Sequence, residues 1–118
     1  MGYVVLGEMV DKMMNRTIEE SIFDILVFAG LRDTSFHPKT PKTNIVPSGF
    51  NKGITQGTST NKIAHFLNNA AGNAGIFSTI HELGTYMQLM LNKGKNPPLS
   101  RTFSEEVIDL FTTKRKIK

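Results

Sequence analysis

Cysteine is absent from all 118 residues. That excludes a disulfide framework and thiolate catalysis. Long apolar runs are lacking as well. The apolar start at residues 3–6 is short and followed by charge, so neither a membrane span nor a signal peptide is expected. Histidine occurs only as His37, His65 and His81, at spacings that match no zinc pattern, and no metal site is expected. Gly53 and Gly57 do not follow a strand and open a helix, as a phosphate-binding loop would require, and no cofactor is expected. No internal repeat or low-complexity segment is present.

Charge is only modestly one-sided. The net charge is +4, and much of it sits at Lys114, Arg115, Lys116 and Lys118. A basic tail can meet nucleic acid or an acidic membrane surface. Here no aromatic platform or binding motif accompanies it, so a solvated terminus is favoured and no specific nucleic-acid partner is expected. At this length the chain is one small domain, residues 1–118.

What the sequence does contain is helical pattern. From Ile80 the apolar positions are Ile80, Leu83, Met87, Met90 and Leu91, with Gly84 on the same side, which is the spacing of one buried helical face. Glu82, Gln88 and Asn92 fall largely elsewhere. Ser78 or Thr79 can cap the start, Thr79-x-x-Glu82 has the form of a capping box, and Gly94 can end the helix in the left-handed conformation. Upstream, Val5, Met9 and Met13 recur on one side of a helix over 2–14, widened by Leu6 and Val10. Core packing is the favoured use of its methionines. A second helix begins at Thr17, where Thr17-x-x-Glu20 is another capping box. It carries the stripe Ile18, Ile22, Ile25, Leu26 and Ala29, and Gly30 suits its exit.

Residues 31–75 are punctuated by Pro38, Pro41, Pro47, Gly49, Gly53 and Gly57, and show no periodicity until about Lys62. Ile45 and Phe50 can pin this loop to the core. A short helix is expected over 61–68 with Ile63, Phe66 and Leu67 inward, and a short strand pair somewhere in 40–60. Asn96-Pro97-Pro98 is a rigid stop before Leu99-Ser100. Ser104 then caps a last helix, with Val107, Ile108, Leu110 and Phe111 as its apolar side. The expected fold is mainly α: about four helices with a long irregular loop.

Three segments carry a resemblance. Ala71-Gly72-Asn73-Ala74-Gly75-Ile76-Phe77-Ser78-Thr79, with His81-Glu82-Leu83 and Met87-Gln88-Leu89-Met90-Leu91, resembles the "AGHAGLFST…DL…QMLL" segment of the β-lactamase-type serine hydrolases. That family includes class C β-lactamases, penicillin-binding D-alanyl-D-alanine peptidases and esterases. Gly2-Tyr3-Val4-Val5-Leu6-Gly7-Glu8 is similar to the "GYVLLGE" helix that follows the family's Tyr-Ser-Asn motif. Ile22-Phe23-Asp24, with Leu31-Arg32-Asp33-Thr34-Ser35-Phe36, is similar to its "IF-PLG(L/M)-(K/R)DTSF" segment. Order and spacing fit over most of residues 2–111. One departure is that Ile25-Leu26-Val27-Phe28-Ala29-Gly30 replaces "PLG", lengthening the second helix with apolar residues that need a partner surface.

The resemblance implies the helical lobe of a larger protein that hydrolyses an amide or ester by acyl transfer. The family's chemistry needs a serine one helical turn before a lysine, a Tyr-x-Asn or Ser-x-Asn loop and a Lys-Thr-Gly-like strand. By the same resemblance these fall before Met1, just before Gly2 and beyond Lys118. The chain is therefore expected to be a fragment, inactive alone, whose partner is the missing sheet domain. The alternative is a stand-alone interaction module that self-associates through bare apolar faces.

One internal match competes. Ser59-Thr60-Asn61-Lys62 satisfies both Ser-x-x-Lys and Ser-x-Asn, making Ser59 a candidate nucleophile and Lys62 its base. Seven serines and ten lysines in this length yield about 0.6 such matches by chance, so the motif discriminates little. It also falls where relatives carry Val-His-Asp. Asn68-Asn69 stands where Gly-Gly is common, and Asn73 replaces the histidine of "AGHAG". Asparagine can hydrogen-bond and tolerate positive φ but cannot transfer protons. Asn61 and Asn73 are candidate cleft-lining residues by resemblance, with a structural role in the turn favoured.

Overall fold

A computed structural model of the chain describes residues 1–48, 56–95 and 103–114. Among them the protein is mainly helical, as the pattern predicts. The helices are α1 Gly2–Met14, α2 Ile18–Phe28, α3 Lys62–Phe66, α4 Ile80–Leu91 and α5 Glu105–Thr112, with one 3-10 turn at Lys42–Asn44. No strand forms among the described residues. Isolated antiparallel bridges join Ser35 to Phe77 and Ala71 to Ala74. Part of the expected strand pair, residues 49–55 with Phe50 and Gly53, lies outside the described residues, as do the Asn96-Pro97-Pro98 stop, Leu99-Ser100 and the tail residues Arg115, Lys116 and Lys118.

The helix ends follow local chemistry. Thr17 Oγ1 accepts from the Glu20 N–H at 3.2 Å and Glu20 Oε2 accepts from the Thr17 N–H at 2.9 Å, completing a capping box. Gly30, at φ 80, closes α2: its N–H donates to Val27 O at 3.0 Å and the Leu31 N–H donates to Leu26 O at 2.8 Å. This is the Schellman arrangement, and Leu31 joins the buried cluster that Leu26 packs against. At the end of α4 the Gly94 N–H bonds Leu89 O at 2.9 Å. A side chain at Gly94 would sit 2.2 Å from Phe103 O, so glycine also lets the return toward α5 pass closely. Ser104 caps α5 by accepting from the Val107 N–H at 3.2 Å.

The interior differs from the periodicity reading. Among the described residues the buried apolar ones are Ala29, Leu31, Phe36, Ala64, Ala71, Leu89 and Ile108. On α4 the expected inward stripe faces out: Ile80 is 87% exposed, Leu91 76%, and Leu83 and Met87 are also exposed. The buried residues are instead Glu82 at 6% and Leu89 at 1%. At about 100° per residue the row 82, 85, 89 lies opposite the row 80, 83, 87, 91. α1 behaves the same way. Val5, Leu6, Met9, Val10 and Met13 are exposed, while Gly7 is buried with its would-be Cβ 3.2 Å from Gly72 N. Gly72 has no room for a side chain either, since one would sit 2.0 Å from Tyr3 O. Backbone thus meets backbone on the glycine side of α1, and the apolar stripe is turned away. On α3 the buried residue is Ala64, whereas Ile63 and Phe66 are exposed and Leu67 is half-buried. Ile25, Val27 and Phe28, in the apolar extension of α2, are exposed to different degrees.

The chain's accessible surface is 9442 Å². A compact folded monomer of 13.1 kDa exposes about 6,400 Å². The apolar stripes of α1 and α4 are turned outward, whereas Ile18, Ile22, Leu26 and Ala29 of the α2 stripe are half-buried or buried and Ile108 of α5 is buried.

Candidate functional site

The most developed polar site lies where the 31–36 segment meets the start of α4. The Ser35 N–H donates to Phe77 O at 3.0 Å and the Phe77 N–H returns to Ser35 O at 2.8 Å. This bridge places Thr34 over the first turn of α4. Thr79 caps that turn by accepting the Glu82 N–H at 3.2 Å. The Glu82 carboxylate does not return to Thr79, as a full capping box would have it. It crosses instead to the 31–36 segment, accepting the Asp33 N–H at 2.8 Å and the Thr34 hydroxyl at 2.5 Å. Thr34 is buried, and its Oγ1 is 2.7 Å from Ser78 Oγ. An ionised carboxylate only accepts, so the Thr34 proton goes to Glu82 and Thr34 accepts from Ser78. The order is Ser78 to Thr34 to Glu82.

Burial on its own would raise the Glu82 pKa. Hydrogen bonds from the Asp33 backbone, the Thr34 side chain and the Arg32 and Thr34 backbones outweigh it and hold the carboxyl below its ordinary value. That decides what the relay can do. A general base must compete for a proton near the working pH, and a carboxylate stabilised by several donors is a weak competitor. The Ser78–Thr34–Glu82 chain is a clamp between two segments, not an activated nucleophile.

Beside it runs an open groove of about 1050 Å³, lined by residues that include Arg16, Glu19, Arg32, His37, Ser78 and Ile80. His37 Nε2 lies 3.6 Å from Glu19 Oε2. Arg16 is held 2.7 Å from Asp24, and that hydrogen bond raises its pKa. The groove carries both signs of charge and several apolar side chains, including Phe23 and Phe77. Among the described residues no three His, Asp or Glu side chains are grouped so as to hold a metal ion, and no helix is long and apolar enough to cross a membrane.

The residues singled out from sequence lie elsewhere, and none of them lines this groove. Ser59 precedes α3: its N–H donates to Asn69 Oδ1 at 3.0 Å and its Oγ accepts the Asn61 N–H at 3.2 Å. Lys62 is the exposed first residue of α3, so the Ser-x-x-Lys string spans a helix start rather than one turn within a helix. Asn61 is the cap of α3, its Oδ1 accepting the Ile63 and Ala64 N–H groups at 3.0 and 3.1 Å. Asn73 is exposed in the turn that the Ala71–Ala74 bridge closes. Asn68 and Asn69 hold φ 53 and 68, left-handed values that asparagine tolerates. Sequence reasoning missed Glu82 as a site residue. Its signal was the trio Asp33-Thr34-Ser35, whose backbone and hydroxyl donors need an acceptor once buried.

No family model matches the chain, and no curated protein matches it.

Proposed function

We propose that this chain is the helical-lobe segment of a β-lactamase-like serine hydrolase, a scaffold without the reacting groups. The complete protein would hydrolyse an amide or ester by acyl transfer. One observation carries this reading: the three segments that resemble the family, distant in sequence, pack on one another. Gly7 of the first meets Gly72 of the third. Thr34 and Ser35 of the second meet Phe77, Ser78 and Glu82 of the third. A chance resemblance in three separate strings would give no reason for them to form one contact set. The outward apolar stripes of α1 and α4 suit a lobe whose inner faces rest on another body, here the sheet domain of the parent protein.

The chain alone has no turnover on this reading. Ser59 lies before α3 instead of sharing a helical turn with Lys62, and Ser78 meets Thr34 and not the Glu82 carboxylate. The coding frame on both sides of these 118 residues tests the proposal. A Ser-x-x-Lys upstream, a Tyr-x-Asn just before Gly2 and a Lys-Thr-Gly-like strand downstream are expected. In-frame stops on both sides would overturn it. A chromogenic ester or β-lactam should show no hydrolysis by the chain, and hydrolysis abolished by Ser59→Ala would also sink the reading.

A second reading is favoured by the amount of apolar surface left bare. The chain is then an interaction module that associates with itself and does no chemistry.

A further inference from the structure

We draw no further inference here: the strongest candidate, the outward apolar face of α4 formed by Ile80, Leu83, Met87 and Leu91, carries none because nothing in the structure shows what covers it.

Discussion

Replacing Glu82 tests whether the clamp between α4 and the 31–36 segment holds the fold. Glu82 makes charge-assisted bonds to the Asp33 N–H and the Thr34 hydroxyl. Each is worth about 1.5–3 kcal/mol, so Glu82→Ala should cost about 3–6 kcal/mol and leave the part-buried Asp33 N–H without its acceptor. At about 0.05 kcal/mol per residue the whole chain is stabilised by only about 6 kcal/mol, so that variant should be close to unfolding. Glu82→Gln is the sharper probe. Its amide oxygen can still accept from Asp33, and its NH₂ can donate to Thr34, which then gives its own proton to Ser78. The chain of bonds reverses direction and loses its charge, at a cost of about 1–2 kcal/mol at neutral pH.

The pH dependence follows from the direction of the shift. The Glu82 pKa is lowered by folding, below the ordinary 4.5. Its contribution is therefore fully present above the unfolded value and disappears as pH falls through the folded one. Urea unfolding of both proteins at a series of pH values should show a gap that is constant near neutrality. The gap should close from about pH 5 downward. Glu20, also lowered by its bonds to Thr17, titrates in both proteins and cancels in the difference. A gap that does not change with pH, or a Glu82→Ala penalty under about 1 kcal/mol, would refute the clamp.

Two further tests concern backbone. Gly75→Ala would place a methyl 1.5 Å from Asn69 O at φ 115, and Gly72→Ala one 2.0 Å from Tyr3 O, so each should destabilise by more than about 2 kcal/mol in thermal or urea unfolding. Gly84→Ala, in open space, should instead stabilise the monomer by about 0.5–1 kcal/mol, and equal effects at the three sites would contradict the packing. Asn68→Gly should change stability by less than about 0.5 kcal/mol, whereas Asn69→Gly should lose about 0.5–1.5 kcal/mol with the bond to Ser59; the same stability meter checks both.

Local chemistry was legible in the chain because it depends on near neighbours. Thr17, Thr79 and Ser104 cap where their hydroxyls reach an N–H a few residues on, and Gly30 and Gly94 end helices where φ must be positive. Asn68 and Asn69 hold left-handed φ for the same reason. The mainly α class follows from these short-range rules together with helical spacing. The first turn of α4 marks where the rules stop. Thr79-x-x-Glu82 predicts a reciprocal box, and Thr79 does its half, but Glu82 finds better partners 48 and 49 residues away.

Which side of each helix turns inward was a different matter. The apolar stripes of α1 and α4 are evident in the sequence, and periodicity assigns them to the core. Tertiary structure instead presses Gly7 on Gly72 and draws a carboxylate inward toward Asp33 and Thr34. A hydrophobic stripe says only that a face seeks cover, because apolar transfer has no direction and names no partner. Close glycine contacts and hydrogen bonds to a charge are directional and short-ranged, so they set the rotation of these helices and leave the stripes for something outside them.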